Sequence, residues 1–155
     1  MSATLGQPSR RRPPFKFSAF VRVGFSDTDA QGIVYYGRYL PYFDLARAEY
    51  LRHLHLLHSN PGGPEFVMRA LSVVYEAPAQ FDDLLEVFIR TRRIGRTSVT
   101  QEFCAVRDDG GVMCTADQTL VCVDMAERCA IAVPETYRRR IAEFEGADVE
   151  TAVAT

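Results

Sequence analysis

Phe25-Ser26-Asp27-Thr28-Asp29-Ala30-Gln31-Gly32-Ile33-Val34-Tyr35-Tyr36-Gly37-Arg38-Tyr39 is the stretch on which the fold turns, because the hydrophobic period changes across it. Before it, Phe15, Phe17, Ala19, Val21, Val23 and Phe25 fall on every second residue. That is the pattern of a half-buried strand. Asp27 to Gly32 has the composition of a turn. After it, Tyr36, Leu40, Phe43, Ala46, Tyr50 and Leu54 recur in steps of three or four, which predicts a helix over Tyr36 to His55 with one apolar stripe. Arg38, Arg47, Glu49 and Arg52 take its other faces, and Pro41 is acceptable in a first turn, where its missing N–H would lack a partner anyway.

Outward from there the two halves differ. Residues 1–14, rich in Ser, Arg and Pro, read as a disordered leader. Downstream, Asn60-Pro61-Gly62-Gly63-Pro64 ends the helical region, and strands are expected at 65–76, 84–95, 97–107, 112–124 and 128–133. Asp108-Asp109-Gly110-Gly111 marks a hairpin and Gly95-Arg96 a second tight turn. A short helix over Glu135 to Phe144 closes a single domain at 15–145, and 146–155 reads as a flexible tail. The class is therefore α+β: one long helix burying its stripe against an antiparallel sheet of five to six strands. Such a sheet leaves an open edge that a second copy would cover, so a homo-oligomer is expected.

Composition narrows the function. Of 155 residues, 47% are apolar and 25% charged, an ordinary balance for one domain. The net charge of −2 argues against a general electrostatic grip on nucleic acid or an anionic membrane. No run approaches the roughly 18 apolar residues of a membrane span. The N-terminal stretch has no apolar segment fit for a secretory signal, which points to a cytoplasmic protein. Cys104, Cys114, Cys122 and Cys129 lack metal-site spacing and read as small buried hydrophobes. His53, His55 and His58 stand at or beyond the helix end, where imidazoles complement the helix dipole, and no metal site is expected.

The chemistry concentrates in the opening stretch. Two carboxylates, Asp27 and Asp29, sit just before a helix N-terminus, whose free N–H groups can hold a developing oxyanion. A carboxylate there can attack a carbonyl or activate water. The plainer alternative is that both aspartates only cap the turn or helix.

This stretch, with Tyr39-Leu40 and Ala46-Arg47-Ala48-Glu49 behind it, resembles the hotdog-fold acyl-CoA thioesterases of the 4-hydroxybenzoyl-CoA and Tol–Pal-associated types. Tyr75-Glu76-Ala77-Pro78-Ala79-Gln80-Phe81-Asp82-Asp83-Leu84 is a second matching signature, and Arg96-Thr97-Ser98 a weaker third. The resemblance implies a helix wrapped by a curved sheet, in dimers or dimers of dimers with sites at the subunit interface. It implies hydrolysis of an acyl or aroyl thioester to the free acid and CoA, with no metal or redox cofactor, CoA being part of the substrate. Asp29 would be nucleophile or general base, and the Tyr36 N–H would polarise the thioester carbonyl. Gly32, Ile33, Val34 and Asp44 are the candidate acyl-binding residues, and Arg93, Arg96, Thr97 and Ser98 the candidate CoA contacts. Arg90, Arg92, Arg93 and Arg96 could equally dock an acidic acyl carrier protein, or simply guard a strand edge, and a non-catalytic acyl-CoA binder is a further alternative. The Tol–Pal-associated branch usually carries His where this chain has Tyr36, and the 4-hydroxybenzoyl-CoA branch has Pro where it has Gly37. Arg138, Arg139 and Arg140 read as solvated.

Overall fold

The computed structural model describes residues 5–57 and 64–152. Strands β1 (Gly6–Pro8) and β2 (Phe17–Arg22) precede helix α1 (Tyr39–His53). Then come β3 (Glu65–Tyr75), β4 (Leu84–Ile94), β5 (Ser98–Arg107), β6 (Val112–Asp124), β7 (Cys129–Ala130), α2 (Glu135–Glu145) and β8 (Glu150–Thr151). The sheet runs β1-β2-β4-β5-β6-β3, with β7 on β6 and β8 on β4. All pairings are antiparallel except β4 with β8. Five long strands thus carry the sheet, and β1, β7 and β8 are short additions of three, two and two residues. Residues 58–63, which include His58 and the Asn60 to Gly63 part of the breaker, lie outside the described residues.

Helix α1 lies against the inner face of this sheet. Phe43, Ala46 and Tyr50 are fully buried, as the spacing predicts, and Leu54 nearly so. Phe43 packs on Phe103 of β5 with ring centroids 4.8 Å apart, and Tyr50 meets Phe17 of β2 edge-on at 5.8 Å. Each large apolar side chain withdrawn from water contributes about 1.5–3 kcal/mol, so this seam fixes the helix on the sheet. The start of the stripe differs from expectation. Residues Tyr36–Arg38 form a 3-10 turn, α1 begins at Tyr39, and Tyr36 is 62% exposed. Pro41 explains the shift: in an α-helix starting at Tyr36 its ring would press on the carbonyl of residue 37. Starting at Tyr39 makes it the third residue, within the first turn.

The expected disordered leader needs correction over its described part. Residues 6–8 pair with β2 through Gly6↔Ala19, Gln7↔Ser18 and Pro8↔Phe17. Gly6 is required there, since a Cβ would stand 2.7 Å from Phe17 and 2.8 Å from Glu49. In the expected flexible tail, Gly146–Asp148 form a 3-10 turn and β8 follows on β4. Cys104, Cys114 and Cys122 are buried free thiols, but Cys129 is exposed, because β7 is a two-residue strand at the sheet's periphery. Of the three C-terminal arginines, Arg138 is not simply solvated: its Nη2 donates to the Gly95 carbonyl at 2.9 Å, and Arg140 donates to the His55 carbonyl at 2.6 Å.

Candidate active site

Local hydrogen bonding folds the Asp27–Tyr35 stretch back on itself. Tyr35 N–H donates to Asp27 C=O at 2.9 Å, and Thr28 bridges Val34. Asp29 N–H donates to Ile33 C=O at 3.0 Å. At the tip, Gly32 N–H reaches Asp29 C=O at 2.9 Å with Gly32 at φ +79°, a left-handed conformation that glycine adopts without penalty. Asp29 opens the tight turn at this tip and is half-buried. Its Oδ1 accepts the Gln31 N–H at 2.8 Å, and its Oδ2 has no hydrogen bond among the described residues.

Asp27 does different work. Its Oδ2 accepts from the Gly24 N–H and from the Tyr42 hydroxyl, both at 2.8 Å, and its Oδ1 pairs with Arg38 Nε at 3.1 Å. Burial, with the Asp27 carboxylate beside it, pushes the Tyr42 hydroxyl above its ordinary value, so it remains a proton donor. Asp27 is therefore saturated and clamps the hairpin to α1, whereas Asp29 keeps an oxygen open.

The second sequence signature meets the first here. Val34 N–H donates to Ala79 C=O at 2.8 Å and Ile33 bridges Gln80. Asp83 Oδ2 in turn holds the Gln80 N–H at 2.9 Å. Beyond the hairpin the chain enters the 3-10 turn, and the Tyr36 N–H makes no hydrogen bond among the described residues, as the geometry of a helix start dictates. Tyr75, at the end of β3, donates its hydroxyl to the Tyr36 carbonyl at 2.8 Å and fixes that turn. An aromatic rim surrounds the site: Tyr35, Tyr36, Tyr75, Phe25 and Phe81 are all exposed, Phe25 by 81%. Phe25 and Phe81 meet edge-on at 5.9 Å. Exposed aromatic side chains grouped in this way mark a binding or association surface.

The predicted residues divide. Asp29, Tyr36, Gly32 and Ile33 lie together in this hairpin and turn. Val34 is 5% exposed and belongs to the core, so it shapes the hairpin rather than lining a surface. Asp44 is turned to solvent, its side chain 67% exposed and paired with Arg47 at 3.0 Å one turn on. Arg47 itself is mostly buried: its Nε donates to Gln101 at 2.8 Å and its guanidinium stands over Phe103. Arg96, Thr97 and Ser98 form the β4–β5 turn, closed by Gly95 N–H to Ser98 C=O at 2.7 Å. The basic cluster is smaller than it reads in sequence. Arg90 and Arg92 are tied to Glu102 at 2.7 and 3.0 Å, and Arg93 lies 3.6 Å from Glu150, leaving Arg96 exposed and outside any ion pair among the described residues. Tyr42 carries no sequence signal, and Arg38 and Tyr75, though inside the quoted stretches, give no sign of these contacts, because their partners are fixed only when helix and strands are packed. No group of three or more His, Cys, Asp or Glu side chains able to hold a metal occurs among the described residues.

Comparison with known proteins adds the family. The chain is similar to the acyl-CoA thioester hydrolase YbgC of Escherichia coli O157:H7, 34% identical over 127 residues, which cover 81% of this chain and 92% of that protein. A thioesterase from Jannaschia sp. CCS1 shares the fold with a TM-score of 0.81 at 24% identity, covering 91% of this chain and 89% of the other. A thioesterase complexed with coenzyme A and Zn from Thermus thermophilus superposes with a TM-score of 0.73 at 29% identity, over 83% of this chain and 94% of that one. Residues 23–151, from just after β2 through β8, match the thioesterase-like superfamily. The hotdog arrangement, the paired signatures at one site and this match agree, and the chain belongs to the thioesterase-like superfamily.

Proposed function

We propose that this chain hydrolyses acyl-CoA thioesters to the free acid and CoA, with Asp29 acting on the thioester carbon and the Tyr36 N–H polarising its carbonyl. One observation carries the reading: Asp29 keeps Oδ2 uncommitted in the turn of a hairpin whose returning strand runs directly into an N–H left open by the following helical turn. As the carbonyl is attacked, negative charge grows on its oxygen, and a fixed N–H there stabilises the transition state more than the substrate. Asp29 either takes a proton from the attacking water, giving the acid directly, or attacks the carbonyl itself to form an acyl–Asp29 anhydride that water then hydrolyses to the acid and free Asp29; both routes expel CoA thiolate, which is then protonated. The names of the Escherichia coli and Thermus thermophilus relatives support a CoA thioester as the substrate.

Arg96, Thr97 and Ser98 are the proposed CoA phosphate contacts, since a guanidinium with no ion-pair partner among the described residues can bind phosphate. The chain pairs with a second copy along β3, whose Val67, Met68, Leu71, Val74 and Tyr75 are all exposed on an eleven-residue edge. Tyr75 would bring the partner to the rim of the site. No helix among the described residues is long and apolar enough to cross a membrane. Four free thiols fit a reducing, cytoplasmic setting.

The test is CoA release from a panel of aliphatic and aromatic acyl-CoAs, with acyl carrier protein thioesters alongside. Asp29→Asn lowers kcat by about 10²–10⁴, the range for a lost acid–base group, and leaves the melting temperature in place. An Asn variant within a few-fold of the parent overturns the assignment, and turnover confined to carrier thioesters replaces CoA as the substrate.

A further inference from the structure

The outer face of the sheet, away from α1, carries an apolar patch that the site does not use. Phe88, Cys104 and Val106 are 2%, 5% and 8% exposed, and Val112 packs beside them. They are neighbours across three strands, through Phe88↔Cys104 and Val106↔Val112. What covers them is the N-terminal arm. Phe15 lies on Phe88 with ring centroids 5.9 Å apart. The arm, residues 5–16, precedes the superfamily match at 23–151.

The arm is held at separate points along its length. Phe20 N–H donates to Leu5 C=O at 3.1 Å, Ser9 N–H to Lys16 C=O at 2.9 Å, and Lys16 Nζ to Asp148 at 2.6 Å. Arg11 pairs with Glu86, which Ser18 also holds at 2.7 Å, and the Arg11 guanidinium lies over Phe20. Beside the apolar patch, the same face presents both signs of charge, in Arg90, Arg92, Glu102 and Asp117. A sheet face with an apolar centre beside ion pairs of both signs can meet its own copy. Two such faces can pack about 10 Å apart, and a twofold axis sets each patch against its own copy.

We propose that residues 5–16 are a built-in cap that keeps this outer face from packing on a second copy of the chain, so that assembly stops at the pair formed along β3. The pairing along β3 belongs to the proposed function; the cap is a separate claim, read from a different change in mass.

The test uses full-length protein. Two variants loosen the arm at different points: Gly6→Val, which cannot fit between Phe17 and Glu49, and the double change Arg11→Ala with Phe15→Ser. Native mass is measured by light scattering after size exclusion. Cys104 alkylation is followed by peptide mass mapping, which separates it from exposed Cys129. In the parent, Cys104 reacts slowly and the mass is that of two chains. In both variants at low protein concentration Cys104 reacts at least about tenfold faster, and at high concentration the mass doubles to four chains and protection returns. A parent of one chain that doubles on release upholds the cap and overturns the β3 pairing. A parent already at four chains, faster Cys104 labelling without any gain in mass, or unchanged labelling in both variants each overturns the cap.

Discussion

Replacing Tyr42 by Phe removes one hydroxyl and nothing else, and so isolates the clamp on the catalytic hairpin. Tyr42 is 6% exposed and donates to Asp27 Oδ2 at 2.8 Å. A hydrogen bond to a charged group is worth about 1.5–3 kcal/mol, and Asp27 keeps Gly24 and Arg38 as partners, so a loss of about 2 kcal/mol is expected. For a chain of this size that lowers the melting temperature by roughly 4–8 °C. Turnover should fall too, although Tyr42 lies thirteen residues from Asp29 in sequence. Asp27 C=O receives the Tyr35 N–H, and relaxing Asp27 loosens the hairpin that aims Asp29. A misplacement of about 1 Å at a reacting group can cost as much as 10²-fold, so kcat should drop by about tenfold with KM nearly constant. Calorimetry and steady-state CoA release measure the two effects on the same preparation. A melting temperature within about 1 °C of the parent, together with unchanged kcat, would show that Asp27 is held without Tyr42, and the clamp argument would fail.

Two further outcomes follow from other parts of the fold. Glu145 is 1% exposed, its Oε2 accepting from the Tyr50 hydroxyl and the Thr91 N–H at 2.8 Å, and burial raises its pKa above the ordinary 4.5. The folded state therefore holds this proton where the unfolded chain has released it, so stability is full below the unfolded value and declines as pH rises through the raised one. Glu145→Gln should flatten that decline in urea unfolding measured at several pH values; parallel profiles would sink the account. Arg138 braces the β4–β5 turn through the Gly95 carbonyl at 2.9 Å and the Arg96 carbonyl at 3.5 Å. Arg138→Ala should raise KM for acyl-CoA by about tenfold with kcat within twofold, as lost uniform binding does, and an unchanged KM would remove this turn from CoA binding.

Much of the fold is legible because two periods are. Alternation in Phe17, Ala19, Val21 and Val23 and the three-four spacing of Phe43, Ala46 and Tyr50 each place one face inward, and burial follows that pattern. The strand bounds at 65–75, 84–94, 98–107 and 112–124 fall within a residue of the pattern, since turn residues punctuate them. The N-terminal arm was not legible. Its Pro- and Arg-rich composition carries no period, and its order comes from Gly6 fitting against Phe17 and Glu49 and from Phe15 reaching Phe88, contacts that exist only once the sheet is built.

At the site the same division holds. Asp29, the Gly32 turn and the helix start after it are local features, set by neighbours in the chain, and so they appear in the sequence itself. Which carboxylate is free is a tertiary matter: Asp27 and Asp29 stand two residues apart in one turn, but only Asp27 meets Tyr42 of the helix and Arg38 of the turn before it. The basic cluster is likewise reduced by packing, because Glu102 on the neighbouring strand pairs with both Arg90 and Arg92, and Asp117 lies 4.0 Å from Arg92. Strand order is also decided in three dimensions. β3 follows the helix in the chain yet pairs with β6 at the far edge, while α1 packs on β2 and β4. Sequence spacing records which face a residue presents; it does not record which distant partner that face meets.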